Sequence, residues 1–271
     1  MVPALLTTVM FALSAIFAGR TTRILGGNIA NFVRLCVATL LLAAWAHAFG
    51  GGLGGGAFGW FFASGCVGFG LGDVALYQAL PRLGARLSIL MVHCLAAPLA
   101  ILVERVWLGT TLSPAQLIAG LTILAGVALA LAPDEHLHID RRTLWMGVTF
   151  GAIAAIGQGG GAVLSRKAYQ MVALSGATVD GGTAAYQRIL GGVLVGGLPL
   201  IWMLCKRNDE AENGAVEGFE SFREKMQRAA PWVLLNCLAG PTIGVACYQW
   251  ALGTAPSGIV LPIVATTPLV V

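Results

Sequence analysis

Five ionisable side chains stand inside long apolar stretches of this chain: Arg34, Asp73, Glu104, Arg105 and Arg188. A charge deep in a bilayer costs roughly 2.5–3.5 kcal/mol on insertion scales, so each must mark a pathway, a partner or a helix end. Asp73 invites the most chemistry, because it lies well inside its stretch, behind Gly68, Gly70 and Gly72, with no charge nearby in sequence. Two readings fit it: an ion pair with Arg34 across helices, and a protonatable site for proton coupling. An interface position at a bent helix end is the plain alternative. Arg34 and Arg188 each lie about six residues inside their stretches, where a long side chain either snorkels to the interface or lines a cavity. Glu104 and Arg105 stand near the mouth of theirs, which suits a mutual interfacial role.

The same stretches carry hydrogen-bonding groups at Tyr77, Gln78, His93, Gln158, Tyr248 and Gln249. Together with Arg34, Asp73 and Arg188 these form the candidate substrate pathway. Pro98 and Pro268, with Pro241, Pro262 and the run Gly157 to Gly161, are candidate helix breaks, since backbone polar groups are freed in a membrane only where they line a cavity. Close packing by small residues is the simpler reading of any one glycine.

Several other patterns lose their force on inspection. Gly68-x-Gly70-x-Gly72 follows no strand, so it is no dinucleotide loop. The cluster 134–140, DEHLHID, lacks the helical spacing of a metal site, and Ser175-Gly176 has no matching buried histidine. Neither a metal nor an organic cofactor is expected, and no catalytic residues are assigned. Cys36, Cys66, Cys94, Cys237 and Cys247 lie in apolar segments and Cys205 at a segment end, so they read as small hydrophobes.

These residues must be positioned by membrane helices. Of 271 residues 57% are hydrophobic and 10% charged, and 16 of the 28 charged residues crowd into 134–142 and 206–228. A net charge of +4 without a basic, aromatic-laced stripe excludes nucleic acid as a partner. A bilayer core needs about 20 apolar residues per helix, and no period-two alternation suggests a barrel. Nine spans follow, at about 2–19, 29–48, 57–79, 85–107, 114–132, 144–164, 184–204, 231–251 and 257–271. The first lacks a basic n-region and is retained. Glycines at 50–56, the Pro81-Arg82-Leu83-Gly84 break and the Ser113-Pro114 cap separate neighbours, while 205–228 is the one sizeable connector.

The chain also repeats itself. Arg34 after Phe32 matches Arg188 after Tyr186, and Cys66, Tyr77 and Gln78 fall on Cys237, Tyr248 and Gln249 at a constant offset of 171. One residue of slippage then sets Pro98 opposite Pro268. Five spans per unit is an odd number, so the second copy enters the membrane in the opposite sense. An all-α, polytopic membrane protein built as an inverted repeat is expected, with copies at 1–132 and 133–271. The second copy holds four spans, so a tenth helix is missing from the pattern.

In these features the sequence resembles the EamA-type members of the drug/metabolite transporter superfamily. The resemblance rests on Arg34 and Arg188, on Tyr77-Gln78-Ala79-Leu80 running through Gly84 to Pro98 with its echo at Tyr248 to Pro268, and on Gln116 to Gly126. It departs at Leu108-Gly109-Thr110, where the family usually shows Leu-Gly-Glu. The resemblance implies a ten-helix carrier of two halves, exporting or exchanging a small metabolite, such as an amino acid or related amphipathic compound, by alternating access. Its partners would be that solute, the lipid bilayer of a bacterial cytoplasmic (inner) membrane and, for coupling, a proton; a homodimer or a partner subunit would supply the missing helix. A membrane-embedded enzyme and a non-transporting subunit are the rival classes. Orientation is split: the odd connections hold eleven Lys and Arg residues against chiefly Arg166 and Lys167 in the even ones, which places the amino terminus outside, whereas the family resemblance implies a cytoplasmic terminus.

Overall fold

The structure is a computed structural model that describes residues 1–130, 140–211 and 219–271. Among these residues there is no strand, and nearly all are helical. The elements are α1 (Val2–Leu25), α2 (Gly27–Ala48), α3 (Phe58–Gly65), α4 (Val74–Leu108), α5 (Pro114–Ala130), α6 (Arg141–Leu174), α7 (Gly181–Ala211), α8 (Phe219–Cys237), α9 (Val245–Thr254) and α10 (Ser257–Val264). Two π-helical segments, Cys66–Asp73 and Leu238–Gly244, join α3 to α4 and α8 to α9. A 3₁₀ turn, Thr267–Leu269, closes the chain.

Six of these stretches are long and apolar enough to cross a membrane: Val2–Leu25, Gly27–Ala48, Phe58–Leu108, Arg141–Leu174, Gly181–Trp202 and Phe222–Thr254. Pro114–Leu129 and Ser257–Leu269 are shorter apolar helices. Phe58–Leu108, at 51 residues, is far longer than the roughly 20 that one crossing needs. Gly84 divides it into two arms by leaving the helical region at φ 78°, ψ 166°, a backbone setting that an L side chain rarely takes. The expected third and fourth spans are those two arms. The chain passes Pro81 in helical conformation and breaks three residues later, at the position without a Cβ.

Large apolar side chains such as Leu40, Val106, Ile118, Leu129 and Trp202 point outward, a surface no water-soluble protein of this size would present. The interior is instead lined by small residues. Gly157 and Gly72 meet backbone to backbone, where a Cβ on Gly157 would stand 2.5 Å from the Gly72 Cα. Gly159 packs on the Ala96 carbonyl in the same way, so most of the Gly157 to Gly161 run serves close helix contact rather than a break.

Several helices overrun the apolar spans. α6 extends from Arg141 to Leu174 and takes in Arg166 and Lys167, which are therefore helical residues and not an interspan loop. α7 runs to Ala211 and α8 begins at Phe219, so much of the charged 205–228 connector is helical extension. Residues 134–139 of the acidic and histidine cluster lie outside the described residues.

Caps account for where the helices start. Ser113 and Gln116 form a reciprocal pair, with the Ser113 N–H donating to Gln116 Oε1 at 2.9 Å and the Gln116 N–H to Ser113 Oγ at 3.3 Å, the geometry of a capping box around Pro114. Asp140 accepts from the Thr143 N–H at the start of α6. At the start of α7, Asp180 accepts from the N–H groups of Gly182 and Thr183, at 2.9 and 3.0 Å, and from Trp45 Nε1 of α2 at 3.1 Å. Partial burial raises the affinity of this carboxyl for a proton, but the bonds from Thr183, Trp45 and Gly182 outweigh it and hold the group below the usual carboxylate range.

One polar staple ties three helices together. Glu104, 2% exposed in α4, accepts from Arg166 Nε of α6 at 3.2 Å and from the Ser257 N–H at 2.9 Å, and also pairs with the Ser257 hydroxyl. The expected partnership of Glu104 with Arg105 is therefore corrected. One residue on along a helix points about 100° away, and Arg105 is exposed while Glu104 turns inward.

Replacing Glu104 by Gln leaves Arg166 without its counter-charge in a buried setting, and should lower unfolding stability by roughly 3 kcal/mol. Denaturant unfolding of the purified protein checks this; an unchanged midpoint would show that the pair contributes nothing. The depressed proton affinity of Asp180 makes its cap a stabilising feature above the unfolded carboxyl value of about 3.9, lost as pH falls through the lower folded value. Asp180→Ala should cost about 1 kcal/mol near neutral pH. That difference should shrink in acid below roughly pH 3.9, and a deficit constant with pH would contradict the assignment.

Candidate functional site

Arg34 and Asp73 meet across α2 and the end of the first π segment as an ion pair inside the membrane domain. The Arg34 side chain also donates to Asn31 Oδ1, one turn earlier on α2, at 3.1 Å. Its guanidinium lies over the Tyr77 ring, 4.8 Å from the centroid. Tyr77 is fixed in turn: Asn236 Nδ2 of α8 donates to its hydroxyl at 2.7 Å, and Ser14 Oγ of α1 donates to Asn236 Oδ1 at 2.7 Å. Five helical elements thus converge on one pair of charges. Neither charge can leave without exposing the other to a low-dielectric interior.

Arg188 is arranged in the same way but ends differently. It lies on α7, 2% exposed, with the Tyr248 ring 5.8 Å from its guanidinium carbon and the Phe69 ring at 5.1 Å. Gly65, Gly68 and Gly161 make room for it, since a Cβ on Gly68 would stand 2.2 Å from Nη2 and one on Gly161 3.0 Å from it. Snorkelling, one reading of both arginines, does not occur: each turns into the bundle.

Both arginines, Asp73, Tyr77, His93, Gln158 and Tyr248 line one central cavity. Its volume open to the centre of a water molecule is about 70 Å³. Both π segments contribute to the wall, the first through Gly68, Phe69, Gly72 and Asp73 and the second through Gly240 and Pro241. π turns are uncommon and concentrate at functional positions, so two of them on one cavity are informative. His93 stacks on Phe11 of α1 with centroids 6.0 Å apart, and Phe11 also touches the Tyr248 ring. Apolar wall comes from residues such as Leu76, Val92 and Val245.

Four of the sequence candidates lie elsewhere. Gln78 faces Asn28, donating to its Oδ1 at 2.7 Å, and accepts from Arg82 at 3.1 Å. Gln249 is fully buried next to Tyr248 in sequence but is not part of the cavity wall, and its side-chain amide has no partner. Pro98 is exposed on α4, which keeps helical backbone angles through it, so the helix is not broken there. A membrane helix tolerates the lost N–H because neighbouring groups compensate. Pro268 is buried in the 3₁₀ turn beyond the end of α10. The residues that sequence reasoning missed are Ser14, Asn31 and Asn236. Asn31 carried a signal, since it precedes Arg34 by three residues on one helix face; the other two are lone polar residues in apolar stretches whose partner is set only by packing.

The sequence profile of the EamA-like transporter family matches residues 1–132. A solved crystal structure of a protein aligns with 100% of this chain and 85% of its own length at 19% identity, with a TM-score of 0.64, a likeness that speaks for the fold alone. No curated protein matches the sequence. The chain is thus similar, over residues 1–132 with Arg34, Asp73 and Tyr77 among them, to the EamA-like transporter family.

Proposed function

We propose that this chain is a carrier that moves a small metabolite, an amino acid or related amphipathic compound, across the bacterial cytoplasmic membrane by alternating access. The observation that carries the reading is the central cavity, walled by both π segments and holding the Arg34–Asp73 pair. Two halves, 1–132 and 133–271, rock about it. Support for the halves comes from recurrence: a π segment interrupts Phe58–Leu108 and another Phe219–Thr254, and an arginine lies over a tyrosine in each, Arg34 over Tyr77 and Arg188 over Tyr248.

The ion pair supplies a route for coupling. A proton delivered to Asp73 removes the charge that balances Arg34, so the protonated and deprotonated states hold this arginine differently. Solute and proton then compete or cooperate through one guanidinium. Such a device suits an exporter or exchanger driven by a proton or solute gradient.

Counterflow in proteoliposomes, with a panel of amino acids and related metabolites and with or without a pH gradient, tests the proposal. Accumulation of one class above empty liposomes is expected, and silence from a folded, reconstituted protein overturns the carrier reading. Asp73→Asn should abolish the effect of the pH gradient and lower uptake at least about tenfold, the scale of losing one charge-assisted interaction. Uptake and pH dependence both equal to the parent's would remove Asp73 from the coupling.

A further inference from the structure

The two arginines of the cavity differ in one respect: Arg34 makes an ion pair with Asp73, and Arg188 makes no ion pair among the described residues. No described group accepts a hydrogen bond from Arg188, and its Nε and Nη1 are buried without partners. The Tyr248 hydroxyl beside it is likewise buried and unpartnered. Arg34, by contrast, has only its Nε both buried and unpartnered, while its charge is met by Asp73 and its Nη2 also reaches Asn31. Counting the arginines and the aspartate of the wall, one positive charge is left over, and it belongs to Arg188.

We infer that Arg188 is the seat of a solute carboxylate, so that the carrier's substrates are small amphipathic molecules with one carboxylate and a short apolar body. The inference rests on the carrier reading and narrows its substrate class. A guanidinium offers planar N–H donors that suit carboxylate oxygens, and on Arg188 both Nε and Nη1 are buried with donors to spare. A single excess charge calls for a single negative group; a dianion would replace one imbalance by another. Tyr248, which lines the same cavity, adds a buried hydroxyl free to donate. The seat is built, because Gly68 and Gly161 leave the space the guanidinium fills while Phe69 and Tyr248 hold its faces.

The rest of the cavity sets the body of the solute. Phe11, Leu76 and Val92 offer no hydrogen bonds from their side chains. A volume of about 70 Å³ is roughly half that of the ~150 Å³ apolar cavity known to take up benzene. The cavity as it stands therefore suits a chain of a few carbons, with larger bodies requiring the halves to open.

Calorimetric titration of the whole protein in lipid nanodiscs tests this, with butyrate, butyramide and butylamine, and with phenylacetate, phenylacetamide and phenethylamine. Each set keeps the body and changes only the head. The carboxylate is expected to bind at least tenfold more tightly than the amide or the amine of its set. Arg188→Gln should abolish that preference, Arg188→Lys should keep part of it, and Arg105→Gln, on the exposed face, should leave it intact. Equal binding across a set, a preference for the amine, or a carboxylate preference that survives Arg188→Gln overturns the inference. Should Arg188→Gln fail to fold, the wild-type ranking within each set decides alone. Counterflow on the same preparation separates the two levels: transport of any solute with no carboxylate preference leaves the carrier reading standing and removes this one, whereas absence of both transport and binding removes the carrier reading itself.

Discussion

A guanidinium inside a bilayer is stable only where something replaces the water it has left. For Arg34 the replacement is a carboxylate, an amide and an aromatic face supplied by Asp73, Asn31 and Tyr77. Meeting that requirement fixes much else. Asp73 must end the first π segment facing α2, Tyr77 must follow one turn later on α4, and Asn236 and Ser14 must reach the Tyr77 hydroxyl from α8 and α1. The position of the cavity is a result of this convergence, because side chains that satisfy one another at its wall do not fill its centre.

The small residues serve the same end from behind. α6 lies directly against α4 and the first π segment, with glycine on both sides of the closest approach. Without a hydrophobic driving force between helices in lipid, close van der Waals contact is the main source of association, and it demands small side chains. Larger residues face outward to the acyl chains instead. Polar groups are thereby concentrated where they can meet one another, and the bulk of each helix stays apolar.

Much of this was legible in the sequence, and the limits are physical. Isolated charges in apolar stretches announced Arg34, Asp73 and Arg188, because the insertion cost makes such residues rare without a role. The helical class and the order of the spans followed from length and hydropathy. What could not be read was partnership. Glu104 sits beside Arg105 in sequence yet pairs with Arg166, since helical rotation separates neighbours and packing joins strangers. A proline alone does not place a break: α4 passes through Pro81 and Pro98 and yields at Gly84, the last residue of the expected Pro81 to Gly84 break, where backbone freedom and not the loss of an N–H decides. The π segments leave no mark in hydropathy at all.

The Glu104 staple also has a meaning in time. Its arginine lies 62 residues downstream and its serine 153. At synthesis rates of about 5–20 residues per second, the carboxylate waits roughly 3–12 s for Arg166 and 8–30 s for Ser257 to leave the ribosome. During that interval the α4 arm carries an acid whose partners have not yet been made. Arrival of α10, whose first N–H the same carboxylate accepts, completes the set of partners. A contact opened in α4 is thus closed only once α10 has been made.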